Sequence, residues 1–507
     1  MTRTVENVLT CLNEAGLLDA VSLGTLSYSD ALLDITFDNR TVKRGSLFIC
    51  KGKAFKEEYL FSAFENGALL YVADHVITES LPYLLVKDIR LAMSRLGALF
   101  FEEACRDVVK IGITGTKGKT TVAVLINAIL DSYCMEQYSK KSALLSSLYT
   151  YDGKARLPSA LTTPEAIEFW RHLKNAGESG LPFAVCEVSS QGLKYRRVED
   201  VCFDTALFLN IGNDHISEVE HPDFEDYFSS KLKIFDRARY ACVNSGASFG
   251  QAITAYAEQN CEAVYTFGFF SDDTLHCRSY GIQNGRECVS VSFEGGAFEE
   301  YELCQLGRHN VENALAAILV AKLYGVPEEH IRRGLLNAEI KGRGEEYVTD
   351  DGEVRVIVDY AHNGMSLEAL YAYVREAYVD SFVITVFGCP GGKAKNRRRD
   401  MGEMAARYSD FVILTEDDPA NESVDGICRE IAVCLDETHT PYICEYDRGQ
   451  AIALAFQTRR GKTVILLCGK GAEQTQKRAC GEEHYGGDVV LAKKQIERYN
   501  RSVVPIG

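Results

Sequence analysis

The chain has 507 residues, 46% apolar and 25% charged, the make-up of a water-soluble globular protein of about three domains. A formal charge of −17 disfavours a nucleic-acid footprint, so an anionic ligand must be met by local positive charge. Seventeen scattered cysteines, none within five residues of another, argue for reduced thiols and against disulfides or a zinc knuckle. No apolar run reaches the length of a membrane span and the N-terminus lacks a signal-peptide layout, which predicts a cytoplasmic protein.

Residues 1–106 open with an amphipathic pattern (Val5, Val8, Leu9, Leu12). Two strand-like segments between Ile35 and Gly52 then flank Asp38-Asn39-Arg40, which on turn statistics is a solvated turn. From 107 to 338 strands and helices alternate. The run Val108 to Ile113 reads as a buried strand, Gly115-Thr-Lys-Gly-Lys-Thr-Thr121 as a glycine loop, and Val122 to Leu130 as a helix with an apolar face. Glycines there let backbone N–H groups close on phosphate oxygens at a helix N-terminus. Lys119 then reaches the β- and γ-phosphates, and the Thr120 hydroxyl is a natural Mg²⁺ ligand.

Apolar runs at Phe183–Cys186, Thr205–Leu209 and Ala241–Val243 read as parallel strands of the same sheet. Their polar ends, Glu187 to Ser190 and Asn210 to His215, converge on the loop side. Glu187 is a candidate Mg²⁺ ligand beside Thr120. Taken alone, His215 is more often structural, and Lys231 reads as a surface lysine of an amphipathic helix. A meander follows, with a hairpin signal at Asn284-Gly285 and strands at Cys288–Phe293 and Glu299–Leu303. Beyond a composition break at Lys341 to Gly344, strands at Arg355–Asp359, Phe382–Phe387, Phe411–Leu414 and Thr463–Cys468 predict a Rossmann-like third domain over 339–507. The charge run Lys393 to Arg399 reads as a solvated face.

The ordered set Gly115 to Thr121, Leu161-Thr-Thr-Pro164, Glu187-Val-Ser-Ser190, Asn210 to His215, Tyr227 to Lys231, Gly307-Arg-His-Asn-Val-Glu-Asn313, Gly342-Arg343, Asp359-Tyr-Ala-His362 and Gly469-Lys-Gly471 resembles the Mur ligases, most nearly the MurE type. The resemblance implies an α/β protein of three domains: a uridine-nucleotide domain (1–106, with Asn39), a P-loop ATPase domain (107–338) and an amino-acid-binding Rossmann-like domain (339–507). It implies an ATP- and Mg²⁺-dependent, ADP-forming ligase of peptidoglycan synthesis. UDP-N-acetylmuramoyl-L-alanyl-D-glutamate would be phosphorylated on its free carboxylate, and an amine would then displace phosphate.

By the same resemblance Gly115, Thr116, Lys117, Gly118, Lys119, Thr120, Thr121, Asn310, Asn313, Arg343 and Asp359 face the nucleotide, with Lys119, His215 and Lys231 catalytic. Thr120, Glu187, His215 and Lys231 serve two Mg²⁺ ions, Lys231 as a carbamate. Thr162, Thr163, Ser189 and Arg197 hold the muramoyl dipeptide, and Asp417, Asp418 and Glu473 the incoming amino acid. The chain departs from the family at Gln191 and Tyr195, and at the specificity loop Asp417-Asp-Pro-Ala420, where diaminopimelate-adding members carry arginine in place of Ala420. With Glu422 adding negative charge nearby, this favours L-lysine. Diaminopimelate addition, with Lys393 or Arg398 supplying the missing cation, is one alternative, folylpolyglutamate-synthase-like chemistry a second, and a non-catalytic nucleotide-binding regulator a third. A monomer without nucleic-acid or membrane partners is expected.

Overall fold

The computed structural model describes residues 3–52, 55–214, 216–217, 220–283 and 286–503. It is an α/β protein built on three successive, mostly parallel sheets with helices on their faces. The first, in strand order Leu18–Ser22, Tyr83–Val86, Ala68–Ala73, Ser46–Ile49, Asp34–Thr36, is parallel except at its first pair. The helix Val5–Glu14 lies against it, started by a capping box in which Asn7 N–H donates to Thr4 Oγ1 at 3.2 Å. Its buried Val5, Val8 and Leu12 are the stripe that the period predicts.

The second sheet has eleven strands, and the strand Val109–Thr114 lies inside its parallel block, between Phe183–Glu187 and Phe203–Phe208. Register pairs Ile113 with Glu187 and Thr114 with Phe208, so all three strands end at the glycine loop. The expected strands around Phe183, Thr205 and Ala241 are therefore present and parallel. The helix Lys119–Tyr138 departs from the expected single apolar face: from Thr120 to Asn127 every residue is buried. It is covered by the sheet on one side and by the helices Arg308–Leu323 and Glu328–Asn337 on the other, so its core-facing surface wraps most of the way round. The meander is antiparallel, Arg286–Phe293 pairing with Leu275–Gln283 and Glu299–Leu303; the Asn284-Gly285 turn lies outside the described residues.

The third sheet runs Glu345–Val348, Val354–Asp359, Thr463–Cys468, Phe382–Phe387, Phe411–Leu414, Tyr442–Cys444, antiparallel only at its first pair. All four strands read from the sequence are here. The charge run is a correction: Arg397 and Arg398, on the helix Asn396–Tyr408, are 7% and 1% exposed, while Lys393, Lys395 and Arg399 do face solvent. All seventeen cysteines are free thiols. Among the described residues no helix is long and apolar enough to cross a membrane.

Candidate active site

The glycine loop ends in the helix that starts at Lys119, so its first N–H groups face a cavity of about 350 Å³. Gly118 takes φ +82°, and a Cβ there would stand 2.3 Å from Asn313 Oδ1, so both the backbone conformation and the approach of Asn313 require glycine. Lys119 Nζ donates to Gly115 O (2.8 Å), the carbonyl that Lys231 Nζ also reaches (2.9 Å). Burial pushes both ammonium groups down, Lys231 well below the ordinary lysine range. The reading of Lys231 as a surface lysine does not hold: it is 1% exposed, its ammonium 4.8 Å from the Tyr227 ring.

Thr120 Oγ1 donates to Glu187 Oε2 at 3.0 Å, and Ser147 N–H to Glu187 Oε1 at 2.9 Å. Glu187 is fully buried, and burial raises its pKa against the fields of Lys119 and Arg343. A buried carboxylate beside two hydroxyls is a hard-oxygen donor set that fits Mg²⁺. His215 lies outside the described residues, and among them no cluster of three His, Cys, Asp or Glu side chains forms a ready-made metal cage.

A second cavity, of about 220 Å³, opens on the other side of the loop. Lys117, Gly118, Thr121, Arg343, Asn310, Asn313 and Asp359 all line it. Asn313 Nδ2 donates to Asn310 Oδ1 (3.2 Å), and Asn310 Nδ2 to Leu306 O (3.0 Å), so the pair is fixed by the helix that carries it. Asp359 Oδ1 accepts from Ala361 N–H at 2.7 Å, and burial raises its pKa. The Arg343 guanidinium lies 4.3 Å from the Tyr360 ring and lines both cavities. Lys117, Lys119, Lys341, Arg343 and Lys470 around the larger cavity supply the local positive charge that an anionic ligand needs in so acidic a chain.

Thr162 lines the larger cavity, and Thr163, Ser189 and Arg197 stand beside it as one cluster. Thr163 Oγ1 donates to Ser189 Oγ (3.2 Å) and accepts from Ser189 N–H (2.9 Å); Arg197 Nη1 donates to Thr163 O (3.0 Å). Arg197 also pairs with Glu165 at 3.0 Å, and Glu165 with Lys51, just past the N-terminal strand Ser46–Ile49. Gln191 bonds Glu220, and Tyr195 carries the Arg90 guanidinium 3.9 Å from its ring. Asn39 is not brought to this cluster: its amide donates to Ser62 Oγ (3.1 Å), beside a turn in which Arg40 pairs with Asp38 in solvent.

On the C-terminal side Lys470, 1% exposed, pairs with Asp418 (2.8 Å) and Glu473 (2.6 Å). Lys470 and Glu473 line the same cavity as Lys119, and Tyr360 OH donates to Glu473 Oε1 at 3.1 Å. Glu422 is held by Arg398 (2.8 Å) and Gly392 N–H (2.6 Å). Asp417 is buried, its pKa pushed up to about 7 against the fields of Lys470 and Arg448. Ala420 sits at φ +50°, its N–H donating to Lys477 O (2.8 Å).

Residues 113–321 match the Mur ligase middle domain, and residues 342–471 the Mur ligase glutamate ligase domain. The chain is 35% identical over 483 residues to the UDP-N-acetylmuramoyl-L-alanyl-D-glutamate–L-lysine ligase of Enterococcus faecalis, covering 92% of each. It is 34% identical over 488 residues to the UDP-N-acetylmuramyl-tripeptide synthetase of Lactobacillus delbrueckii subsp. bulgaricus, covering 92% of this chain and 94% of that one. The chain belongs to the Mur ligase family. The fold agrees: a solved UDP-N-acetylmuramoyl-L-alanyl-D-glutamate–2,6-diaminopimelate ligase superposes with a TM-score of 0.64 at 22% identity, over 98% of this chain and 99% of that one.

In this Mur ligase several groups at the site had no assigned role from sequence. His309, whose pKa burial lowers to about 4, lines the smaller cavity with Met365. Lys470, Asp214 and His309 all lie inside motifs that the sequence displays, but motif spacing does not say which side chain of a motif turns inward. Glu165 follows the Thr162-Thr163 pair by two residues, and its partners Lys51 and Arg197 are far away in sequence.

Proposed function

We propose that this Mur ligase adds an L-diamino acid, L-lysine favoured, to the D-glutamate of UDP-N-acetylmuramoyl-L-alanyl-D-glutamate, using ATP and Mg²⁺ and passing through an acyl phosphate. The observation that carries this is one cavity of about 350 Å³ lined at once by Lys119, Thr120 and Glu187, by Thr162, and by Lys470 and Glu473. Phosphate, carboxylate and amine sites would have to meet in such a space. The names of the relatives above support the same substrate.

Arg197, with Thr162, Thr163 and Ser189, would orient the D-glutamate carboxylate, guanidinium being suited to grip a carboxylate in two-point fashion. That carboxylate attacks the γ-phosphorus and ADP leaves. Lys119 offsets the charge passing between anions, the dominant contribution expected in phosphoryl transfer. Thr120 and Glu187 would hold one Mg²⁺, and His215 with a carbamylated Lys231 a second; the metal would supply Lewis-acid stabilisation of the phosphate oxygens. Asn310, Asn313, Arg343 and Asp359 would hold the nucleoside side, with Gly115 to Thr121 around the phosphates. Asp417, Asp418 and Glu473 would receive the diamino acid, whose amine attacks the acyl carbon and expels phosphate.

The same reading divides the chain into a nucleotide-sugar domain at 1–106, with Asn39 contacting it, the ATPase domain at 107–338 and the amino-acid domain at 339–507. It places a monomer in the cytoplasm. A heavy-oxygen label in the substrate carboxylate tests the route. One labelled oxygen should leave in the released phosphate; label retained wholly in the peptide would rule out the acyl phosphate.

A further inference from the structure

The loop Asn210 to Asp214 touches both the glycine loop and the C-terminal part of the molecule. Towards the glycine loop, Asn210 brackets Lys117, its Oδ1 accepting from Lys117 N–H (2.8 Å) and its Nδ2 donating to Lys117 O (3.2 Å). Gly212 N–H donates to Thr116 Oγ1 at 3.1 Å, and Thr116 N–H to Asn210 O at 3.0 Å. Towards the C-terminal part, Gly212 lies against Met365: a Cβ on Gly212 would stand 2.2 Å from the Met365 sulfur. The two directions meet on Asp214, which is 2% exposed. Its Oδ1 accepts from Arg397 Nη2 (2.7 Å) and Nε (3.2 Å), and its Oδ2 from Asn363 Nδ2 (2.7 Å) and Lys117 Nζ (3.1 Å).

Arg397 and Asn363 are themselves buried, 7% and 4% exposed, on the first turn of the helix Asn396–Tyr408 and at the N-cap of the helix Gly364–Ala377. Asn363 Oδ1 accepts from Ser366 N–H at 3.0 Å, which fixes its amide with the N–H₂ aimed at Asp214. A buried carboxylate needs donors whatever the arrangement of the parts, since an unpaired buried charge is costly. With the C-terminal part docked, Arg397 and Asn363 supply three of these four bonds, including the two shortest, and Lys117 the fourth. With it swung away, three of these four hydrogen bonds are lost, and of the three donor residues Lys117 is the one left to Asp214. Lys117 lines both cavities beside the glycine loop.

We propose that Asp214 is a latch: docking of the C-terminal domain, by Arg397 and Asn363, takes up its charge and loosens its hold on the Lys117 ammonium, which lines the nucleotide site. Arg397 and Asn363 are positioning residues; they act on the phosphate site through Asp214 and need not touch the nucleotide. The mechanism makes nucleotide affinity and domain closure reciprocal, because the two share one carboxylate. It rests on the nucleotide site proposed above.

The test uses the full-length protein and magnesium ADP. ADP affinity is read by titration calorimetry and closure by the radius of gyration in small-angle X-ray scattering. For Arg397→Met the account expects ADP binding weakened between about 5- and 150-fold, the ordinary range of coupling between sites, with a larger radius of gyration. Arg397→Lys should restore much of both. Asn363→Ala, which keeps every charge, should shift both in the same direction by less, and it decides the matter if Arg397→Met fails to fold. Lowered thermal stability with ADP affinity and radius of gyration unchanged would overturn the latch and leave a merely structural ion pair. A wild-type protein that binds ADP but forms no peptide bond would sink the ligase reading alone, since the latch is judged on binding and shape.

Discussion

The glycine-loop cavity and the C-terminal acidic loop are both crowded with charge, yet they balance it differently. Around the loop, cations from distant segments outnumber carboxylates: Lys117, Lys119, Lys341 and Arg343 line the cavity with Glu187, and Lys117 pairs with Asp214. On the acidic loop most of the charge is cancelled internally, Asp418 and Glu473 by Lys470 and Glu422 by Arg398. The loop side therefore recognises by surplus charge. On the proposed reading, the amino-acid side must recognise by geometry and by sharing carboxylates that already have a partner. Arg398 cannot serve as a spare cation for a second substrate carboxylate, since Glu422, Glu430 and Pro390 O occupy it.

The sharpest way to break this contrast is to remove surplus charge from the loop. Lys119→Ala should lower the rate of ATP-dependent phosphate release about 10²–10³-fold, the effect of losing one preorganised stabiliser of transition-state charge, with the thermal midpoint little changed. Removing the internal cation does the reverse. Lys470→Met should destabilise by about 2–3 kcal/mol, less than for a fully buried pair because Glu473 is 43% exposed; thermal denaturation would read it. The kcat/KM ratio of lysine to diaminopimelate should rise in the same variant, because two carboxylates lose their partner.

Asp417 gives the comparison a pH axis. Its folded pKa, about 7, lies above the ordinary 3.8, so between those values the folded state binds more protons than the unfolded one. Stability therefore falls as pH rises through that window, and Asp417→Asn abolishes the loss. Relative to wild type the variant should gain about 2 kcal/mol between roughly pH 5 and pH 8, read as the difference in denaturation midpoints, while losing activity. The smallest effect belongs to the backbone: Gly118→Ala forces a Cβ into left-handed geometry at φ +82°, costing about 1–2 kcal/mol, and displaces Asn313. Calorimetry should show weakened ADP binding.

Local pattern revealed the strand, glycine loop and helix, the flanking parallel strands and four of the six strands of the third sheet, because each is written in contiguous residues. The pairing at the loop was legible for the same reason: Thr120 opens the helix that follows the loop, and Glu187 ends the strand beside it. What sequence could not show is pairing over distance. Arg397 lies 183 residues from Asp214, so a run of basic residues that reads as solvated contains two buried ones. Lys231 reads as a surface lysine because its helix has an amphipathic period, yet its place against the loop carbonyl is set by tertiary packing. The acidic loop looked more negative than it is because Lys470 stands 52 residues from Asp418. Ala420 and its neighbours describe the loop, but not the cation that meets it.

The measurement that bears most directly on the central claim is phosphate release from ATP with UDP-N-acetylmuramoyl-L-alanyl-D-glutamate, comparing L-lysine with meso-diaminopimelate at equal concentration. The account predicts release that depends on all three substrates and is clearly faster with lysine. Release that favours diaminopimelate would contradict the reading of Ala420 and the acidic loop, and no release with either amino acid would contradict the ligase itself.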